Sequence, residues 1–132
     1  MRARVAVAVV VLAAVLAPAA SAASSTSLRI TIWPDGKDGV ARTWTLRCAA
    51  VGGTLPRRAS ACRRLATLRA PFAPVPRDTA CTQIYGGPAV AYVRGTFRGR
   101  PVRAWFNRQD GCEIDRWNRV GPLFPIGGAS SE

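Results

Sequence analysis

Hydrophobic and polar residues alternate along Leu28-Arg29-Ile30-Thr31-Ile32-Trp33 and again along Thr43-Trp44-Thr45-Leu46-Arg47-Cys48. A period of two places one apolar row on a core and one polar row in water, so each run predicts a half-buried strand. Between them Pro34-Asp35-Gly36-Lys37-Asp38-Gly39 is dense in turn formers, and the unit reads as an antiparallel hairpin. Val51 to Pro56 reads as a loop. The pattern then changes period: over 58–70 Cys62, Leu65, Ala66 and Leu68 fall near one face while Arg63 and Arg64 point away, predicting a helix of about three turns. Ser60 is a candidate cap or first-turn residue, and Pro71 ends the helix.

Pro71, Pro74 and Pro76 make the next stretch a stiff connection rather than helix interior or central strand. It leads into Ala80-Cys81-Thr82-Gln83-Ile84-Tyr85-Gly86-Gly87-Pro88, a cysteine followed by an extended run that breaks into Gly-Gly-Pro. Strand patterning returns from Ala89 to Phe97, turns at Arg98-Gly99-Arg100 and continues from Val102 to Phe106. A polar loop, Asn107 to Gly111, precedes Cys112, and Glu113 to Phe124 reads as holding a last short strand around Leu123. The expectation is an α+β domain: a five-stranded antiparallel sheet with one or two helices on one face and two disulfides. The tail beyond Gly127 is expected to be disordered.

The first residues stand apart from this domain. Arg2 and Arg4 precede an uninterrupted apolar run from Val5 to Leu16, followed by Ala-Pro-Ala-Ala-Ser-Ala-Ala. The run is too short for a membrane span of about 20 residues. Residues 1–22 therefore read as a secretory signal peptide cleaved after Ala22, and 23–132 as a single extracellular domain with no membrane attachment. In an exported chain the four cysteines, Cys48, Cys62, Cys81 and Cys112, read as two disulfides with three possible pairings. A local bridge from Cys48 to Cys62 across the strand-to-helix loop is geometrically reasonable and leaves Cys81 for Cys112.

Chemistry is narrowed by what the chain lacks. It has no histidine, which excludes Ser-His-Asp and Cys-His catalysis and, with no Cys-x-x-Cys, argues against zinc. Seven acidic residues remain, and only Glu113 and Asp115 are spaced to share a strand face as a carboxylate pair; an ordinary solvent-facing edge explains them better. Two carboxylates in the 34–39 turn fall short of a calcium cage. The expected protein is not an enzyme and holds no cofactor or metal. Its net charge of +12, with Lys37 the sole lysine, raises a cationic binder of nucleic acid or anionic surface polymers as an alternative, with Trp44, Trp105 and Trp117 among the arginines. The arginines are scattered rather than clustered, which favours a solvated surface over nucleic acid.

The pieces "TLRCA" (45–49), "ASACRRL" (59–65), "ACTQIYGGPAV" (80–90), "GTFRGRPV" (95–102) and "CEI" (112–114) stand in the order found in the Streptomyces subtilisin inhibitor-like proteins, secreted inhibitors of serine proteases. The chain resembles that family over about residues 28–125. The resemblance implies bridges Cys48–Cys62 and Cys81–Cys112, a homodimer, and a reactive bond at Gln83–Ile84, two residues after the third cysteine. Ala80, Cys81, Thr82, Tyr85 and Gly86 would flank that bond in the protease cleft, and Asn107 or Asp110 would support the segment from behind. The family usually carries Met, Lys or another long side chain where Gln83 stands; Gln83 favours a subtilisin-like target over a trypsin-like one. Thr82 replaces a frequent Pro, and Gly86-Gly87-Pro88 is one residue longer than usual, so a diverged member without inhibitory activity is a further alternative.

Overall fold

In a computed structural model of the chain, residues 9–11, 13–15 and 25–126 are described. Most of the leader and the whole Gly127–Glu132 tail lie outside the described residues. Strands β1 (Ser27–Trp33) and β2 (Arg42–Arg47) are followed by helix α1 (Arg58–Thr67). Strands β3 (Val90–Phe97) and β4 (Arg100–Phe106), helix α2 (Gly111–Arg119) and a 3₁₀ turn (Gly121–Leu123) complete the chain. The strands form one antiparallel sheet in the order β2-β1-β3-β4. Among the described residues the sheet has four strands rather than five, and α2 with the 3₁₀ turn occupies the place expected for the fifth.

The alternation predicts the inner face well. Leu28, Ile30 and Ile32 of β1, Leu46 of β2, Ala91 and Val93 of β3, and Val102, Ala104 and Phe106 of β4 are buried. Helix α1 adds Ala61 and Leu65, and the chain after β4 adds Trp117, Val120, Leu123 and Phe124. Phe106 meets Phe124 edge-on at 5.0 Å, and Phe124 in turn packs on Trp117 at 4.4 Å. Trp44 leans partly buried against this core, while Trp105 lies on the other face of the sheet, 47% exposed. Trp117 is therefore a core residue.

Two local details differ from expectation. Helix α1 stops at Thr67, because Leu68 is already extended and its N–H returns to Leu65 O. Ser60 caps nothing and instead accepts from Arg63 within the first turns, while Ala66 points to solvent. The carbonyls at the end of α1 are met by Arg98, whose guanidinium donates to Leu65, Ala66 and Leu68 O at 3.1–3.3 Å. Arg98 reaches them from the tip of the β3–β4 hairpin. There Arg98 (φ 49°) and Gly99 (φ 77°) both take the left-handed conformation that a two-residue hairpin turn requires.

Helix α2 begins at Asp110, whose carboxylate accepts from Glu113 N at 3.0 Å, the usual satisfaction of a first-turn donor. Its buried side carries an unexpected residue, Arg116, only 7% exposed. That guanidinium donates to Phe72 O, Ala73 O and Trp105 O, pairs with Glu113 at 3.3 Å and stacks on Phe106 at 3.9 Å. A cation so enclosed is tolerable only because each donor direction is matched. It fastens the proline-rich connection to both β4 and α2.

Candidate functional site

Two disulfides form, Cys48–Cys62 and Cys81–Cys112, with Cα separations of 5.5 and 5.4 Å. The first staples β2 to α1. The second joins the start of the irregular 81–88 segment to the first turn of α2.

From that anchor the backbone of the segment is held at two further points. Gly111 N donates to Thr82 O at 2.8 Å. Beyond the gap, Gly86 N donates to Arg108 O at 2.7 Å and Gly86 O accepts from Arg108 Nε at 2.9 Å. Both contacts need small residues. A methyl group on Gly111 would overlap Thr82 Oγ1, and one on Gly86 would stand 2.8 Å from the Ile114 side chain. Arg108 is itself held, its guanidinium 5.5 Å over the Trp117 ring and donating to Asn118 Oδ1.

Between the two points Gln83, Ile84 and Tyr85 lean on nothing. All three are exposed, Ile84 at 60% and Tyr85 at 67%. The Gln83 side-chain amide makes one long contact, 3.4 Å to Cys81 O. Residues 82–86 carry no charged group, and the segment adopts no regular secondary structure. Chemically this is an uncharged, exposed peptide bond, Gln83–Ile84, with both flanks fixed.

The expected support residues act less directly. Asn107 Oδ1 accepts from Gln109 N and shapes the loop after β4, but makes no contact with the segment. Asp110 caps α2 and so aims Gly111 N, one residue on, at Thr82 O. Apart from Cys112 through its bridge, the segment is met by Arg108, Gly111 and Ile114, none of them among the expected support residues. Arg108 gives no signal in the sequence, since nothing distinguishes it from the other arginines. Gly111 had one: a glycine directly before a bridging cysteine is a place where two backbones meet closely.

The carboxylate pair is not assembled. Glu113 and Asp115 lie on a helix rather than a strand, and each is engaged by its own arginine, Arg116 and Arg119. Among the described residues, one grouping of possible metal ligands occurs, Cys81, Asp110 and Cys112. Its two sulfurs are bonded to each other and its carboxylate caps α2, so the donor set does not suit a metal.

A four-stranded antiparallel sheet backed by helices, with a disulfide-anchored segment displayed beside α2, defines a small disulfide-stapled α+β domain. The subtilisin inhibitor-like family model matches residues 23–109, and the chain belongs to that family, whose members are protease inhibitors rather than enzymes. Among solved structures it is similar to sermetstatin of Streptomyces caespitosus, in a crystal structure with Bacillus licheniformis subtilisin. That likeness has 20% sequence identity and a TM-score of 0.50 over 77% of this chain and 99% of that one, and it bears on the fold alone. No curated protein matches the chain.

Proposed function

We propose that the chain is a secreted, substrate-like inhibitor of subtilisin-type serine proteases, with Gln83–Ile84 as its reactive bond. The observation that carries this reading is the pair of clamps around residues 83–85. The Cys81–Cys112 bridge and the Thr82–Gly111 hydrogen bond lie on one side, and the Gly86–Arg108 contacts on the other. An extended, exposed backbone can add as a strand to a protease cleft, with the Gln83 side chain entering the primary specificity pocket.

The reaction then stalls for a physical reason. Attack of the protease serine on the Gln83 carbonyl carbon breaks the bond to Ile84 N and leaves an acyl ester and a free amine. In an ordinary peptide the amine diffuses away and water completes hydrolysis. Here Ile84 is two residues from the Gly86 clamp and Gln83 two from Cys81, so the amine stays beside the ester. Effective concentrations for well-oriented groups reach about 10⁵ M or more, so religation outruns water. Because the segment is ordered beforehand, binding is spared much of the cost of immobilising a floppy peptide.

Export by the 1–22 leader completes the proposal and agrees with two disulfides. The test is stoichiometric titration of subtilisin with the oxidised chain comprising residues 23–132. Tight inhibition with slow cleavage confined to Gln83–Ile84 is expected; rapid digestion at many bonds would defeat the reading.

A further inference from the structure

The sheet has a second face that no helix covers. Across its middle, Arg29 of β1 stands opposite Arg94 of β3, and Arg94 opposite Arg103 of β4. Three guanidinium stems thus rise side by side from neighbouring strands about 4.8 Å apart. Like charges directly opposite on a sheet repel. Arg47 stands one row further along β2. All four border one open depression of about 550 Å³.

Nothing in the fold compensates them. No Asp or Glu lies on the registered rows of this face, and none of the four guanidinium groups makes a hydrogen bond or ion pair with another described residue. Arg98, Arg108, Arg116 and Arg119 are all so engaged. One row toward the other end, half-buried Tyr92 and exposed Trp105 pack at 4.4 Å as an aromatic ledge, with Trp33 stacked on Trp105 at 5.8 Å and Lys37 Nζ 4.2 Å over the Trp105 ring.

We propose that this face binds single-stranded nucleic acid, with phosphates on the Arg29–Arg94–Arg103 row and a base against Tyr92–Trp105. The guanidinium fork matches phosphate oxygens two at a time, and a flat aromatic surface beside a cationic track suits single strands of any sequence. Lys37, on a flexible stem, can leave the ring to a base and keep its own charge on the backbone. A second copy of the chain fits poorly, because pairing the face with itself sets arginine rows against each other without a carboxylate between them. The arginine row lies away from Gln83–Ile84, since Arg94 is four residues, or about 13 Å, into the strand that the segment enters; the aromatic ledge is nearer, because Gly36, beside Lys37, approaches Pro88 at the segment's end. The segment itself packs on α2, behind the sheet. The inference stands whether or not the chain inhibits.

The test is fluorescence anisotropy of a labelled 20-mer of deoxythymidine titrated with the oxidised chain. Three or four phosphate contacts predict a log–log salt slope near −2 to −3, and a loss of about 50-fold in affinity between 50 and 200 mM salt at the steeper end. Changing Arg29, Arg94 and Arg103 to Thr should cost more than tenfold and flatten the slope. The same change at Arg58 and Arg63 of α1 and at Arg69 just beyond it, which removes equal charge elsewhere, should cost less than threefold. Trp105→Leu should weaken the oligonucleotide about tenfold while leaving heparin binding unchanged. Equal losses from both triple variants would overturn the proposal. So would indifference to Trp105→Leu, which would mark a general polyanion surface, or a dimer in sedimentation that the oligonucleotide neither splits nor binds.

Discussion

Removing one disulfide at a time separates what the bridges do for the fold from what one of them does for the reactive segment. Cys81–Cys112 spans 31 residues, and loop-closure entropy assigns it about 4 kcal/mol; Cys48–Cys62 spans 14 and is worth about 3 kcal/mol. The double variants Cys81→Ser/Cys112→Ser and Cys48→Ser/Cys62→Ser should therefore melt within a few degrees of each other, each roughly 15–20 °C below the parent. If stability were all that mattered, the two would inhibit alike at any temperature where both stay folded. Locally they differ. Once Gln83–Ile84 is opened, the variant lacking Cys81–Cys112 holds its acyl side by the Gly111 N to Thr82 O bond alone. One such bond contributes about 1 kcal/mol net, roughly a fivefold preference, too little to keep the ester beside its amine. The assay mixes each variant with an equal amount of subtilisin at 15 °C and follows recovery of protease activity on a chromogenic peptide. The parent and the Cys48/Cys62 variant should keep the protease silent for hours. The Cys81/Cys112 variant should release it within minutes, first cut at Gln83–Ile84 and then elsewhere. Equal persistence from the two double variants would refute the clamping argument.

Gly111→Ala should lower subtilisin affinity at least tenfold with little change in melting, because the added methyl meets Thr82 Oγ1 while alanine suits a first helical turn; adding Thr82→Ala should restore part of the loss. Gln83→Lys should gain trypsin inhibition by a factor of 100 or more without altering stability, read by parallel titration of both proteases, since the residue touches no part of the core. Arg116→Met should cost about 3 kcal/mol in urea unfolding, because it strands the carbonyls of Phe72, Ala73 and Trp105 and the Glu113 carboxylate.

The sheet was readable because its strands alternate cleanly. Every inward position of β1, from Leu28 to Ile32, is apolar, and so are Val102, Ala104 and Phe106. Helix α2 was misread for an identifiable reason. Ile114, Trp117 and Val120 recur at helical spacing and Asp110 with Glu113 marks a helix start, but Arg116 interrupts the apolar side. An arginine is ordinarily read as outward-facing. Its burial depends on three carbonyls that only the folded chain brings to it. The segment around Gln83 was visible from its cysteine and its Gly-Gly-Pro break, whereas its contacts with Arg108 and Ile114 come from elements that approach it only in space. The same limit hid the arginine row: Arg29, Arg94 and Arg103 are scattered in sequence, and only strand registration lines them up.

Cys112, Gly111 and Arg108, which grip the displayed stretch from its two sides, all belong to the seven-residue span running from the end of β4 into α2. A tilt of that span relative to the sheet would swing both ends of the stretch as one rigid piece, like a bow turned by its grip with the string still taut. On the proposed function, such a tilt would redirect the displayed bond without widening the gap between Gln83 and Ile84 once it is cut.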